Sequence, residues 1–160
     1  MKICAIILSA GNSKRFKSTI AKFKHNLAGQ PIIDYNINVV QKIKKINKYK
    51  IISSEENSKY FQDRGYVPFK QNPIDGTGGA VNQFYKKNNN YDYYLVMLSD
   101  TPVFDYKIIN NFLNKSMNLN SDISVLSQKV SNPKGYGRII LKNNKLIKII
   151  EEKDCDKEQK

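Results

Sequence analysis

Three stretches carry residue types suited to a phosphorylated ligand. In the first, Ser9, Ala10, Gly11, Asn12 and Ser13 form a loop of small side chains, followed by Arg15, Lys17, Lys22 and Lys24. Small residues let successive backbone N–H groups come close to an anion, and the cations add charge beside them, so the stretch reads as a phosphate cradle. The second runs Gln71-Asn72-Pro73-Ile74-Asp75-Gly76-Thr77-Gly78-Gly79, with glycines leading into a helix so that amide donors again face an incoming group. Taken alone, this loop is equally well a plain glycine-rich turn. The third is Ser99-Asp100-Thr101-Pro102, closing an apolar run. A carboxylate at the carboxyl end of a strand lies where open α/β sheets bind ligands, and its hard oxygen suits a magnesium ion carrying substrate phosphates. The bland alternative for Asp100 is a turn or helix N-cap.

The elements that would position these stretches follow from periodicity. Lys2 to Leu8 is an Ile-rich run too short for an independent helix and reads as a buried strand. Leu27-Ala28-Gly29-Gln30 turns the chain, and Pro31 opens a helix whose buried face carries Ile33, Ile37, Val40, Ile43 and Ile46. Tyr49 to Ser53 is a strand, Ser54 to about Arg64 a more polar helix, and Val67 to Lys70 a short strand. Ala80, Val81, Phe84 and Tyr85 mark the helix after the second loop. Tyr91 to Leu98 is near-continuously apolar and suits a sheet centre buried on both faces. A helix from Asp105, a strand over residues 122–130, and a hairpin turning at Asn143-Asn144 complete the pattern. Alternating strands and helices predict an α/β fold: three layers, a mostly parallel sheet and a late β-hairpin.

Composition narrows the partners. The 160 residues are 40% hydrophobic, enough for one ordinary core, and no run approaches a membrane span of roughly 20 apolar residues. A cytoplasmic protein of one domain is expected. Cys4 lies inside the first strand and Cys155 in the charged tail, which suggests neither a disulfide framework nor a metal knuckle. His25, the only histidine, reads as a surface or packing residue. Of the net charge of +13, residues 1–50 supply +10, and the excess therefore coincides with the small-residue loop. That coincidence favours a polyphosphate pocket over a nucleic-acid partner, for which no interleaved aromatic pattern is present.

Four motifs occur in order across nearly the whole chain: Leu8 to Phe16 with Lys22 downstream; Gln71 with Gly76-Thr77-Gly78; Leu98-Ser99-Asp100-Thr101-Pro102; and Tyr136-Gly137-Arg138-Ile139 with Glu151-Glu152-Lys153. Together they resemble the nucleotidyltransferase family that makes nucleotide sugars, and within it the uridyltransferase domain of the bifunctional bacterial enzyme producing UDP-N-acetylglucosamine. The resemblance implies transfer of a uridylyl group from UTP to N-acetylglucosamine 1-phosphate, with Mg2+ as cofactor. It implies that Ala10 and Gly11 contact the uridine through backbone, Arg15 and Lys22 bind phosphates, Gln71, Gly76 and Thr77 read the uracil, and Asp100 ligates the metal. Gly137 and Glu151 would hold the amino sugar.

The sequence departs from that pattern at Asn12-Ser13-Lys14, where the family has a second glycine and threonine. It departs again at Ala21, where proline normally precedes the lysine, and at Gly79, commonly histidine. The resemblance implies that residues 1–160 form a nucleotidyltransferase domain expected to be incomplete at its C-terminus, with no acetyltransferase domain expected, so a homo-oligomer or a partner chain completing the domain is an expectation too. The alternatives are a non-catalytic nucleotide-binding module and a cytidylyl- or uridylyltransferase with another acceptor.

Overall fold

The computed structural model describes residues 1–11, 18–103, 105–143, 145–157 and 159. They form two compact units, Met1–Ser121 and Asp122–Lys160. Among the described residues no helix is long and apolar enough to cross a membrane.

The first unit is built on β1, Ile3–Ser9, whose ICAIILS sequence is buried almost throughout. It pairs in parallel with β4, Lys48–Ser53, on one side and β6, Tyr93–Leu98, on the other. The short β5, Phe69–Lys70, extends the sheet beyond β4 to give the order β5-β4-β1-β6. Side chains alternate across β1, and each set meets its own helices. Ala5 and Ile7 pack with Ile33, Ile37 and Val40 of α1 (Ile32–Lys42), Phe61 of α2 (Glu55–Gln62), and Ile109 and Leu113 of α4 (Tyr106–Asn118). Cys4 and Ile6 face the opposite way, onto Ala80 and Phe84 of α3 (Gly76–Lys87). A sheet covered on both faces by helices is the expected three-layer α/β arrangement. Each fully buried isoleucine of β1 contributes about 1.5–3 kcal/mol of transfer free energy, which makes this strand the spine of the unit.

Between β1 and α1 lie a 3-10 turn, Lys22–Lys24, and the two-residue strands β2 (Asn26–Leu27) and β3 (Gln30–Pro31). Their turn places Ala28 and Gly29 at φ of 47° and 88°. Positive φ at both central positions is the hairpin turn geometry that twists with its strands, and glycine at the second lowers its cost.

Two expectations change. Residues 122–130 were expected to form a strand and form none; Ile123 and Leu126 are 76% and 51% exposed. Alternating apolar residues hold strand conformation only when a neighbour takes their backbone hydrogen bonds, and among the described residues none does. β6 was expected at the sheet centre with both faces buried. Among the described residues it pairs with β1 alone, and Val96 and Leu98 are exposed, because an outer strand is covered less completely.

In the second unit, β7 (Arg138–Lys142) and β8 (Lys145–Ile150) form the expected antiparallel hairpin, with Lys142 opposite Lys145 and Asn143 at φ 51°.

Candidate functional site

In the first unit the candidate residues collect at the carboxyl ends of the parallel strands. Ala10 and Gly11 continue from β1, Asp100 follows β6, and Gln71 follows β5. Ala10 is buried, whereas Gly11 is exposed with open space where a side chain would stand. Ser9, beside Ala10, has an enclosed Oγ with no hydrogen-bond partner among the described residues. Arg15 lies outside the described residues, as do Asn12, Ser13 and Lys14.

Lys22 and Asp100 are 78 positions apart in sequence and meet here, Nζ donating to Oδ2 at 3.5 Å. The lysine is placed by its neighbour. Phe23 is fully buried, stacked on Phe61 at 5.4 Å between ring centroids and edge-on to Tyr60 at 5.9 Å, so the 3-10 turn is anchored in the core. Ala21 takes φ −61°, the value a proline would impose, so the chain enters the turn in a proline-compatible conformation. The two charged side chains are 38% and 42% exposed. A pair that open to water stabilises the fold by at most about 1 kcal/mol. Either partner can therefore exchange the other for a ligand at small cost.

Asp100 is positioned by a residue the sequence reading missed. Asn36, on the buried face of α1 with no exposed surface, donates from Nδ2 to the Leu98 carbonyl at 2.8 Å and the Thr101 carbonyl at 3.1 Å. Its Oδ1 accepts the Val103 N–H at 3.1 Å. One carboxamide thus spans the loop on both sides of Asp100, with three of its hydrogen-bonding positions used. The available signal was a polar residue inside an apolar stripe, between Ile33 and Val40.

The Gln71 loop is ordered differently. Gln71 is 4% exposed, and its backbone N–H donates to the Ser53 carbonyl at 2.9 Å. Its side chain reaches forward, Nε2 donating to Asp75 Oδ1 at 2.8 Å and the Gly76 carbonyl at 3.2 Å. From α3, Gln83 accepts the Asn72 N–H at 2.9 Å and donates to the Pro73 carbonyl at 2.8 Å and Asp75 Oδ1 at 3.2 Å. Gly76 sits at φ +91°, a conformation that favours glycine, and opens α3 with Thr77 behind it. The first amides of a helix have no partner within it, so Gly76 and Thr77 offer donors beside Gln71.

Gly137 and Glu151 come together in the second unit, since Arg138 pairs with Ile150. A Cβ on Gly137 would stand 3.3 Å from Ile149 Cγ2 and 3.4 Å from the Ile150 carbonyl, so this glycine permits a close backbone approach. Glu151 is exposed. The adjacent Glu152 and Arg138 are structural: Glu152 Oε2 accepts the Gly135 N–H at 2.8 Å, its Oε1 lies 3.8 Å from Arg138, and Arg138 Nη1 donates to the Pro133 carbonyl at 2.9 Å.

Burial pushes the Cys4 thiol up to about 11, so it stays protonated at neutral pH. Among the described residues no three His, Cys, Asp or Glu side chains cluster as a metal nest. The arrangement can neutralise phosphate charge and position reactants, which is what nucleotidyl transfer requires of a protein.

Comparison with known proteins agrees. Residues 5–157 match the family model described as a MobA-like NTP transferase domain. Curated relatives include the bifunctional protein GlmU of Buchnera aphidicola subsp. Baizongia pistaciae, 34% identical over 96% of this chain and 34% of the relative. The bifunctional protein GlmU of Wigglesworthia glossinidia brevipalpis is 38% identical over 94% of this chain and 33% of that protein. The chain thus spans about a third of the length of the curated relatives it matches. Among solved structures, a putative glucose-1-phosphate thymidylyltransferase from Bacillus anthracis, in complex with a sucrose, superposes with a TM-score of 0.76 at 22% identity, over 94% of this chain and 64% of that one. A CMP:2-keto-3-deoxy-manno-octonic acid synthetase complexed with CTP gives 0.63 at 13% identity, over 74% and 48%. These structures share the fold. With residues 5–157 of its 160 matched by the family model, the chain belongs to the MobA-like NTP transferase domain family.

Proposed function

We propose that this chain is a sugar-1-phosphate nucleotidyltransferase that uses UTP and N-acetylglucosamine 1-phosphate and forms UDP-N-acetylglucosamine and pyrophosphate. A phosphate oxygen of the sugar 1-phosphate attacks the α-phosphorus of UTP, the bond to the α–β bridging oxygen breaks, and pyrophosphate leaves with that electron pair. The observation that carries the reading is the Lys22–Asp100 pair at the mouth of the sheet. It supplies an ammonium group for phosphate oxygens and a carboxylate for a cation, in contact and half exposed. Ala10 and Gly11 would approach the nucleoside through backbone, and Gln71, Gly76 and Thr77 would meet its base. Arg15 is proposed as a second phosphate cation, and Gly137 and Glu151 as amino-sugar contacts.

Asp100 fits a magnesium ion, because that ion is commonly held by one or two carboxylates with the remaining positions filled by phosphate and water. When bound, Mg2+ would supply charge neutralisation on the phosphates. Lys22, released from Asp100, would then turn its ammonium group to the nucleotide.

The test is a matrix of UTP, CTP and dTTP against N-acetylglucosamine 1-phosphate and glucose 1-phosphate, read as pyrophosphate release. The expected result is fastest release with UTP and N-acetylglucosamine 1-phosphate; faster release with another pair would replace the substrate assignment. Among the described residues no cluster of three metal-ligating side chains includes Asp100, which favours a second reading, a nucleotide-binding module without catalysis. UTP binding with no pyrophosphate release from any pair would select it.

A further inference from the structure

Gln71 has two amide hydrogens, and both are committed inside the loop: one to Asp75 Oδ1 at 2.8 Å, the other to the Gly76 carbonyl at 3.2 Å. Turning the amide over would press Oε1 against a carboxylate and a carbonyl, two acceptors, so its orientation is fixed by its partners. Toward a ligand, Gln71 can then only accept. Among the described residues nothing donates to Oε1, and it is not enclosed, since Ser9 Oγ is the one enclosed side-chain polar atom there without a partner.

Asp75 makes that arrangement possible, and it does so at the expense of its ordinary role. It occupies the N-cap position of α3, yet its side chain caps no backbone N–H. The carboxylate instead binds Gln71 and is braced by Gln83 Nε2 at 3.2 Å. It also fills the space over Gly79: a Cβ at that position would stand 1.8 Å from Asp75 Oδ1, 2.1 Å from Cγ and 2.4 Å from Oδ2. Asp75 and Gly79 are thus a matched pair, one residue's carboxylate lying where any other residue at the second position would put its side chain.

We infer that Asp75 is a positioning residue that fixes Gln71 as a hydrogen-bond acceptor, and that the pair selects a nucleobase carrying a ring imide N–H, uracil or thymine, against cytosine. Uracil N3 bears a hydrogen that Oε1 can accept, whereas cytosine N3 presents a lone pair to a lone pair. A buried polar contact of that sign discriminates more strongly than shape does. The inference rests on the proposed role of Gln71 at the base.

The experiment measures kcat/KM for UTP, CTP and N3-methylated UTP in nucleotidyl transfer, for the full chain and for Asp75→Ala, Asp75→Asn, Gly79→Ala and the Asp75→Ala/Gly79→Ala double variant. The full chain is expected to prefer UTP and reject the N3-methylated form. Asp75→Ala frees the amide to turn over, so the UTP/CTP ratio falls about tenfold. Asp75→Asn keeps an acceptor for Gln71 and retains the ratio. Gly79→Ala displaces the carboxylate and lowers the ratio as Asp75→Ala does, with no further change in the double variant. A merely structural role would slow both nucleotides equally. An unchanged ratio in both Asp75→Ala and Gly79→Ala, with the full chain still preferring UTP, overturns the inference and leaves the proposed function standing. Absence of any UTP preference in the full chain, or acceptance of N3-methylated UTP, removes the base-reading role of Gln71 and the inference with it.

Discussion

The loop carrying Asp100 and the loop carrying Gln71 leave the sheet from its two outer strands, β6 and β5. The first is fastened from outside itself: Asn36, contributed by α1 and fully buried, takes two loop carbonyls and one loop N–H. The second is fastened mainly from within, with Gln71 and Asp75 in the loop bonded to each other and Gln83 of the following helix bracing an exposed segment. Burial makes the difference count. A lost hydrogen bond in water is replaced by solvent, while one lost in the core leaves its former partners unpaired. The Asp100 loop therefore takes three of its hydrogen bonds from one buried residue, and the Gln71 loop relies on several contacts that can each be replaced in part.

The largest effect should come from Asn36→Leu, which keeps the number and branching of side-chain heavy atoms, takes this partner from the Thr101 carbonyl and the Val103 N–H, and leaves the Leu98 carbonyl only the Thr101 N–H at 3.4 Å. At about 1–3 kcal/mol for each group left unpaired, urea unfolding should show a loss of about 2 kcal/mol or more. Turnover in the surviving folded fraction should fall as well, because Asp100 loses its support; full stability would break the contrast between the loops. Lys22→Met should separate binding from stability. Its ion pair is half exposed, so stability should move by less than about 1 kcal/mol. Calorimetry should nevertheless show UTP affinity reduced about tenfold, since a charge-assisted phosphate contact is gone. An unchanged affinity would remove Lys22 from the phosphate site. Gln83→Ala should have the smallest effect. Its three contacts lie at the surface, and urea unfolding should register a loss below about 1 kcal/mol. A loss equal to that of Asn36→Leu would show that both loops depend on a single fastener.

Local pattern carried much of the fold. The apolar run of β1, the three- and four-residue spacing in α1, the Gly76 opening of α3 and the Asn143 turn are each readable within a few residues, because strand burial, helix faces and turn geometry are short-range properties. Interactions that depend on distant partners were not. Asn36 bonds to residues 62 to 67 positions away, and no window of sequence contains both ends. The exposed residues 122–130 have a strand's composition and lack a strand's neighbour among the described residues, and composition cannot supply one. Of the candidate residues, Lys22, Asp100 and Gln71 in the first unit, and Gly137 and Glu151 in the second, were named from motifs. Asp75, whose importance comes from where its carboxylate lies relative to Gln71 and Gly79, has no signature of its own.

Asp100 and Lys22 are proposed as parts of a nucleotidyl-transfer site. Exchange of radiolabelled pyrophosphate into UTP, with magnesium present, tests that most directly, comparing the full chain with Asp100→Asn. The expected result is clear exchange by the full chain and a loss of about 100- to 1,000-fold in the variant. Exchange that is equally fast without the Asp100 carboxylate, or no exchange by a chain shown to be folded, would contradict it.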